Sequence, residues 1–222
     1  MITHTKEFDK DLKTIDHYFR FPAMKPYIGE NYGKNGHSKI LLIGESNYLP
    51  KKSMVHKNAE QWYQADQSRL TNDEINWIHC RQLLECNWKS NGHMIYRELE
   101  SNLKKYFKTN NDLRAMTNVA YINGFQRPSP ETGESIKKFL NKIDYKISSD
   151  VLSKVIEIIS PDVVIFVSKL TWDRLRWRLK IDKEIKIDFT CHPGTGGRYW
   201  HNKNYKNGKK KFNKILKTTL IN

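Results

Sequence analysis

The sequence lacks any long apolar run. Nowhere does it contain roughly 18 consecutive apolar residues, the length that a transmembrane helix requires. Its first residues, MITHTKEFDKDLK, also contain no apolar stretch typical of a signal peptide. From these two absences we expect a cytoplasmic protein that makes no contact with a membrane.

Cysteine is scarce. The chain has three cysteines, Cys80, Cys86 and Cys191, and no CxxC pair. An odd number of cysteines without paired spacing indicates neither a disulfide framework nor a zinc site. We therefore expect free thiols and no metal ligands.

Acidic residues are few relative to basic ones. Lys and Arg total 39 against 24 Asp and Glu, so the formal net charge is +15. A surface with this charge attracts polyanions, and it favours nucleic acid as the partner. A generally lysine-rich composition is the alternative explanation of the charge.

The chain is too short to form two domains with a sizeable hydrophobic core each. Its 222 residues, 38% of them hydrophobic and 12% aromatic, suffice for one sizeable core. It contains no internal repeat and no Gly/Ser linker. We expect a single domain over residues 1–222, with a monomer as the default state.

Short apolar, β-branched runs predict strands, and the segments between them have helical character. The predicted strands are 39–45, 117–123, 162–168 and, as an alternating edge strand, 185–191. The predicted helical stretches are 58–66, 72–86, 93–107, 131–143, 148–159 and 170–180. Strands separated by helices pair in parallel. The sequence therefore predicts an α/β fold, a three-layer α/β/α sandwich around a central, mainly parallel four-stranded sheet.

Both ends of the chain predict helices that pack against this sheet. Residues 5–20 carry one apolar stripe, which predicts an N-terminal helix. Residues 203–217 carry seven lysines and no acid, and their apolar residues share one helical face. They predict a basic C-terminal helix at about 209–220. The N-terminal stripe consists of Phe8, Leu12, Ile15, Tyr18 and Phe19, and the C-terminal face of Phe212, Ile215 and Leu216.

Polar residues follow the predicted strands, where ligands bind in open α/β sheets. Glu45 follows Gly44 at the end of the first strand, and a carboxylate there can orient water or stabilise positive charge on a sugar ring. A helix cap or a salt bridge is the alternative. Asn123 ends the second strand, and its amide has the donor and acceptor that suit the edge of a base. A simple turn position in Asn-Gly is the alternative.

His192 follows the fourth strand and begins a glycine-rich loop. Its imidazole can donate a hydrogen bond to an oxygen that gains negative charge when a bond breaks; a structural histidine is the alternative. Basic and aromatic side chains then alternate along the loop, as in wedges that enter a stack of bases, although they would equally cap the core. The loop residues concerned are Gly194, Arg198, Tyr199 and Trp200.

Taken together, these junctions resemble those of the uracil-DNA glycosylase superfamily, in which a strand ending in Gly-Glu or Gly-Gln opens the active half and a His-Pro motif closes it. The segments that carry the resemblance lie within residues 38–201. They are GESNYLP, NVAYINGFQRPSPETGESIKKFL, SPDVVIFVS and CHPG.

The resemblance implies a role for each matching residue. Glu45 corresponds to the acid that handles water or stabilises charge, and His192 to the residue that stabilises the departing base anion. Asn123 would read the flipped base, and Tyr48 stands where some branches place a ring that excludes a 5-methyl group. The 194–200 loop would fill the hole in the duplex. Trp62 or Tyr63 would stack on the base.

Three features depart from the family pattern. Ser46, which we place on the base side of the site, and Asn47 replace an aspartate and a proline of the best-studied branch. Gly194 and Thr195 replace the serine and proline that follow His-Pro. The chain also lacks the four cysteines of the iron–sulfur branch.

The sequence thus predicts a DNA glycosylase-like hydrolase that cleaves the N-glycosidic bond of a flipped-out uracil or another damaged or modified base. Such a reaction requires no cofactor. Two alternatives remain open. One is a nucleic-acid-binding protein that kept the fold and lost the chemistry. The other is a hydrolase of a different modified base or of a nucleoside.

Overall fold

A computed structural model describes residues 3–109, 113–202 and 207–219. In this part of the chain five strands form one sheet, in the order β1-β3-β2-β4-β5. The strands are β1 Tyr27–Ile28, β2 Ile40–Gly44, β3 Val119–Asn123, β4 Val163–Phe166 and β5 Lys186–Phe189.

Parallel pairing dominates the sheet. Strand β2 pairs in parallel with β3 on one side and β4 on the other, and β5 pairs in parallel with β4 at the edge. The mainly parallel sheet and its four predicted strands are confirmed. The fifth strand, β1, pairs antiparallel with β3. It was missed because its two residues are too few to show an alternating pattern.

Helices connect and cover the strands. The α-helices in the described residues are α1 Asp9–Leu12, α2 Asp16–Arg20, α3 Ala59–Gln64, α4 Asn72–Ile78, α5 Cys80–Glu85, α6 Met94–Phe107, α7 Lys142–Ile159, α8 Lys169–Leu175 and α9 Gly208–Thr218.

Two hydrophobic cores, one on each face of the sheet, make the structure a three-layer α/β/α sandwich. Successive strand side chains point to opposite faces. Leu41 and Ile43 therefore lie in the core that α7 closes, whereas Ile40 and Leu42 lie in the core that α6 and α9 close. Burial on both faces explains why these strands appear in the sequence as continuous apolar runs.

Three predicted helices have different boundaries in the structure. The 72–86 stretch is interrupted at His79, whose ψ of 88° is not helical and whose side chain caps α5. The 131–143 stretch is mostly loop, with a 3-10 helix at Ile136–Phe139. Helix α7 then begins at Lys142 because Asn141 and Asp144 form a capping box there. This box extends α7 across the predicted gap before residue 148.

The predicted N-terminal helix at 5–20 is two short helices, because Ile15 is extended (ψ 115°) and begins α2 as its cap. Phe19, assigned to the apolar stripe, is 66% exposed. Helix α9 buries Phe212, Ile215 and Leu216, as the spacing predicts. Residues 203–206 of the basic segment and residue 220 lie outside the described residues. No helix in the described part of the chain is long and apolar enough to span a membrane.

The strand order defines where a ligand crevice should lie. The chain leaves β2 for β3 on one side of it and then crosses to β4 on the other side. In open α/β sheets ligands bind where such connections diverge, beyond the carboxyl ends of the strands. In this sheet that position is beyond β2 and β4.

Candidate active site

Glu45 stands at this divergence point, held by two serine hydroxyls. Ser168, which follows β4, donates to Oε2 of Glu45 at 3.2 Å, and Ser135 donates to Oε1 at 2.6 Å. The Ser168 hydroxyl also accepts from the Thr171 amide at the start of α8. Glu45 caps no helix and forms no salt bridge in the described part of the chain. Hydrogen bonds, and not an ion pair, orient its carboxylate.

His192 lies beside this carboxylate in a state suited to donating a hydrogen bond. Its Nδ1 accepts the amide N–H of Gly194 at 3.0 Å, so the proton of the neutral ring resides on Nε2. Burial lowers the pKa of His192, and the negative charge of Glu45 opposes that effect by raising it. The ring is therefore a neutral donor at neutral pH.

Position 194 lies so close to this imidazole that a side chain there would crowd the ring. A Cβ at position 194 would lie 2.9 Å from both Nδ1 and Cε1 of His192. Its residue type is thus explained by the ring that it contacts, inside a 3-10 helix at Pro193–Arg198. The segment predicted as an open loop is a short turn of helix that His192 caps.

Asn123 is next to Gly44 across the β2–β3 pair, and its amide is already engaged. Its Oδ1 accepts from the Tyr121 hydroxyl at 3.1 Å, and its Nδ2 donates to Asn47 Oδ1 at 2.8 Å. One N–H and one lone pair of the amide remain for another partner. Asn123 is more than a turn residue, since two side chains fix its orientation.

Little space exists beside Asn123. The cavity next to it, whose lining includes Asn47, Cys80 and Gln126, measures about 10 Å³. A space of that size accommodates about one water molecule. A base does not fit into this space in the structure as it stands.

Tyr48 and Ser46 flank the site. Tyr48 is half-buried, and burial together with the charge of Glu45 raises the pKa of its phenol. The Ser46 hydroxyl is buried and has no hydrogen-bond partner among the described residues. An unpartnered buried donor is unusual, so Ser46 is available to a bound ligand.

Of the predicted DNA-contacting side chains, Arg198 and Tyr199 are exposed and Trp200 is not. The assignment of Trp200 to DNA was wrong. Its indole is fully buried against Phe212, and its Nε1 donates to Glu98 at 2.8 Å. The alternative, capping of the core, is the correct one for this residue.

The proposed stacking residues Trp62 and Tyr63 were also wrongly assigned. Trp62 is fully buried, stacks on Phe21 and donates to the Gln126 carbonyl at 3.0 Å. The Tyr63 hydroxyl donates to Asp144, and the residue is 3% exposed. Both rings belong to the core on the α7 side of the sheet.

Sequence reasoning missed four residues that shape the site. Ser168 ends a predicted strand run and was therefore detectable by position. Ser135 was assigned to a helix. Tyr121 was taken as an ordinary strand residue, and Asn47 only as a departure from a motif. Their roles depend on side chains that approach from distant parts of the chain.

No group of three or more His, Cys, Asp or Glu within residues 3–109, 113–202 and 207–219 is placed to hold a metal ion. The three cysteines are free thiols. Comparison of the chain with protein-family models and with curated proteins finds no match.

Proposed function

We propose that the chain is a DNA glycosylase-like hydrolase that cleaves the N-glycosidic bond of a flipped-out uracil or another damaged or modified base. The observation that carries the proposal is an oriented carboxylate, Glu45, at the divergence point of the sheet, together with a neutral imidazole, His192, whose pKa the charge of Glu45 raises. Cleavage of this bond requires opposite charges to be stabilised on its two sides, and these groups match that requirement.

On the sugar side, Glu45 stabilises the positive charge of the sugar and accepts a proton from the attacking water. As the C1′–N bond breaks, its electron pair leaves with the base and the sugar becomes cation-like. The carboxylate stabilises that cation and accepts a proton from the water whose oxygen bonds to C1′. Hydrogen bonds from Ser135 and Ser168 hold the carboxylate in position.

On the base side, His192 donates Nε2–H to an oxygen of the departing anion. The neutral ring performs this role because the Gly194 amide occupies Nδ1 and burial disfavours the protonated form. Donors of this kind contribute about 3 to 4 kcal/mol of transition-state stabilisation. The released base anion then takes a proton from solvent.

Base recognition falls to Asn123, with Tyr48 and Ser46 beside it. Since the cavity next to Asn123 holds about one water, we propose that a flipped base displaces the Asn47 amide from Asn123. The base must also leave its stack, which costs a few kcal/mol and favours damaged or mismatched pairs.

Binding of DNA as the polymer rests on charge. The formal net charge is +15, and Lys210, Lys214 and Lys217 expose their side chains on α9. Contacts to phosphate supply most non-specific affinity for nucleic acid. Exposed Arg198 and Tyr199 are the loop residues that we assign to the DNA. Free thiols support a reducing, cytoplasmic location, and we propose a monomer.

A second candidate is a protein that binds nucleic acid without cleaving it. The closed cavity beside Asn123 and the amide bond between Asn47 and Asn123 favour this candidate. Hydrolysis of a nucleoside or of a different modified base uses the same groups, but the net charge favours a polymer over a small substrate.

The test is a cleavage screen on labelled oligonucleotides that carry uracil, hypoxanthine, xanthine or a hydroxymethyl-type base, followed by alkali to break abasic sites. Wild type is compared with His192→Ala and Glu45→Gln. Glu131→Gln is the matched control, because Glu131 is an exposed carboxylate of the loop that carries Ser135.

We expect release of one base that both site variants suppress and the control leaves unchanged. Tight binding with no release from any oligonucleotide would favour the non-catalytic binder. Release that survives in both site variants would overturn the assignment of the site.

A further inference from the structure

A stack of aromatic rings and cations links the end of β5, which leads in the chain to His192, with the surface beyond α8. Phe189 ends β5 three residues before His192, and its ring stacks on Trp172 with centroids 4.8 Å apart. The guanidinium of Arg176 lies over Trp172 at 4.3 Å and over Trp177 at 4.3 Å. On the other side of the stack, the Lys211 ammonium lies 3.6 Å from the centroid of Phe189.

The outer end of this stack is Trp177, whose side chain is 80% exposed. That fraction is the highest among the exposed large hydrophobic residues in the described part of the chain. Trp177 makes no contribution to either core, so packing does not explain an indole at this position. Contact with Arg176 fixes the orientation of the ring while leaving most of its surface in water.

Basic residues outnumber acidic ones in the segment that carries the exposed ring. Between Trp172 and Lys180 the chain has four basic residues and one acid. The acid, Asp173, is paired with Lys169 at the start of α8. Arg174 and Arg178 are exposed and flank Trp177 in the sequence; the Arg178 guanidinium lies over Tyr145 and donates to the Arg174 carbonyl. Phosphate groups are therefore attracted to the surface that also presents a flat aromatic ring.

We propose that Trp177, together with Arg174 and Arg178, is a binding surface for single-stranded nucleic acid, in which an unpaired base stacks on the indole and the flanking phosphates contact the arginines. Exposed aromatic rings in a positively charged groove bind single strands in this way, independently of sequence. Phe189, at the other end of the stack, precedes His192 by three residues in the chain, and we place the path of a strand that leaves the candidate site along the stack.

This surface does not require cleavage. Its test uses fluorescence anisotropy with a labelled single-stranded oligonucleotide of normal bases and with a base-free strand of the same length. All the proteins carry His192→Ala. At position 177 they have the wild-type tryptophan, Trp177→Ala or Trp177→Phe, and the protein with tryptophan is termed wild type in this test. Trp77→Ala is the matched control, because Trp77 is an exposed indole on α4 outside the stack.

Loss of one stacked base should weaken binding of the base-bearing strand by about 5- to 150-fold in Trp177→Ala. Binding of the base-free strand should not change. Trp177→Phe should retain most of the affinity, and Trp77→Ala all of it.

Charge gives a second readout. Each phosphate contact contributes about 0.7 to the slope of log K against log salt for single strands. Trp177→Ala should leave this slope unchanged, whereas Arg174→Gln should lower it by about that amount. The two variants therefore separate stacking from phosphate contact.

Equal affinity of wild type and Trp177→Ala for the base-bearing strand would overturn the proposal, as would an equal loss on both strands. Absence of single-strand binding by the wild type would also overturn it and would favour a protein partner at this surface. None of these three results bears on base release by His192 and Glu45, so the two proposals fail separately.

Discussion

The buried ion pair between Arg127 and Asp144 allows a worked prediction about stability. Arg127 is 1% exposed and Asp144 is fully buried, and two parallel hydrogen bonds of 2.9 and 2.7 Å join them. Arg127 also donates to the carbonyls of His56 and Phe139. One guanidinium thus ties the start of α7 to the loop that carries Ser135 and, through it, Glu45.

Replacement of Arg127 by methionine fills a similar volume but leaves the Asp144 carboxylate buried without its cation. Removal of one partner from a buried ion pair costs about 3 to 5 kcal/mol. A domain of this size loses about 2 to 4 °C in Tm for each kcal/mol, so we expect a fall of roughly 6 to 20 °C.

The assays are urea unfolding, which measures the unfolding free energy, and thermal unfolding, which measures Tm, each followed by tryptophan fluorescence and circular dichroism. In the double variant Arg127→Met with Asp144→Asn, part of the loss should be recovered, because the amide removes the unpaired buried charge. Arg69→Met, at an exposed arginine, is the control and should stay within about 0.5 kcal/mol of wild type. A loss below about 1 kcal/mol for Arg127→Met would show that Asp144 does not depend on this cation for its stability in the core.

Three further predictions concern Gly44, Trp200 and His17. A Cβ at position 44 would lie 2.1 Å from the Tyr121 hydroxyl and 2.5 Å from Asn123 Oδ1, so Gly44→Ala should lower both stability and base-specific binding; unchanged binding to a base-bearing oligonucleotide would contradict this. Trp200→Ala should destabilise by about 3 to 5 kcal/mol in urea, whereas Tyr199→Ala, at a ring 40% exposed, should cost far less; equal losses would show that Trp200 is not a core residue. Burial lowers the pKa of His17 from its ordinary 6.5 to about 3. As the pH falls, the His17 ring is therefore protonated in the unfolded chain before it is protonated in the folded chain. The unfolding free energy should therefore fall as pH drops from 6.5 towards 3, by up to about 1.4 kcal/mol per pH unit, and His17→Phe should flatten the slope; an identical slope in the variant would exclude His17 as its source.

Sequence reasoning predicted the sheet well because burial on both faces leaves a strong local signal. Runs such as ILLIG and VVIF stand out among charged helices, and each of the four predicted strands ends at or next to a site residue. Helix boundaries were less accurate. The interruption at His79 and the cap at Asn141 depend on individual side-chain hydrogen bonds within otherwise helical patterns.

The positions of the site residues could be predicted from the sequence, but their hydrogen-bond partners could not. Glu45, Asn123 and His192 stand at strand ends, where the sequence places them, yet their partners Ser135, Asn47 and Gly194 emerge only from the folded chain. The aromatic residues show the same limit. Tyr199 and Trp200 are adjacent in sequence, but Trp200 is buried because Phe212 of α9 and Glu98 of α6 lie on its side of the sheet.

The proposed base release requires Glu45 and His192 to act on opposite sides of a glycosidic bond. The most direct measurement is the single-turnover rate of base release from the oligonucleotide that wild type cleaves, with Glu45→Gln and His192→Ala measured under the same conditions. Each variant should be slower by about 100- to 1,000-fold while still binding the oligonucleotide. A rate equal to that of wild type in either variant would contradict the role proposed for that side chain, because it would then take no part in breaking the bond.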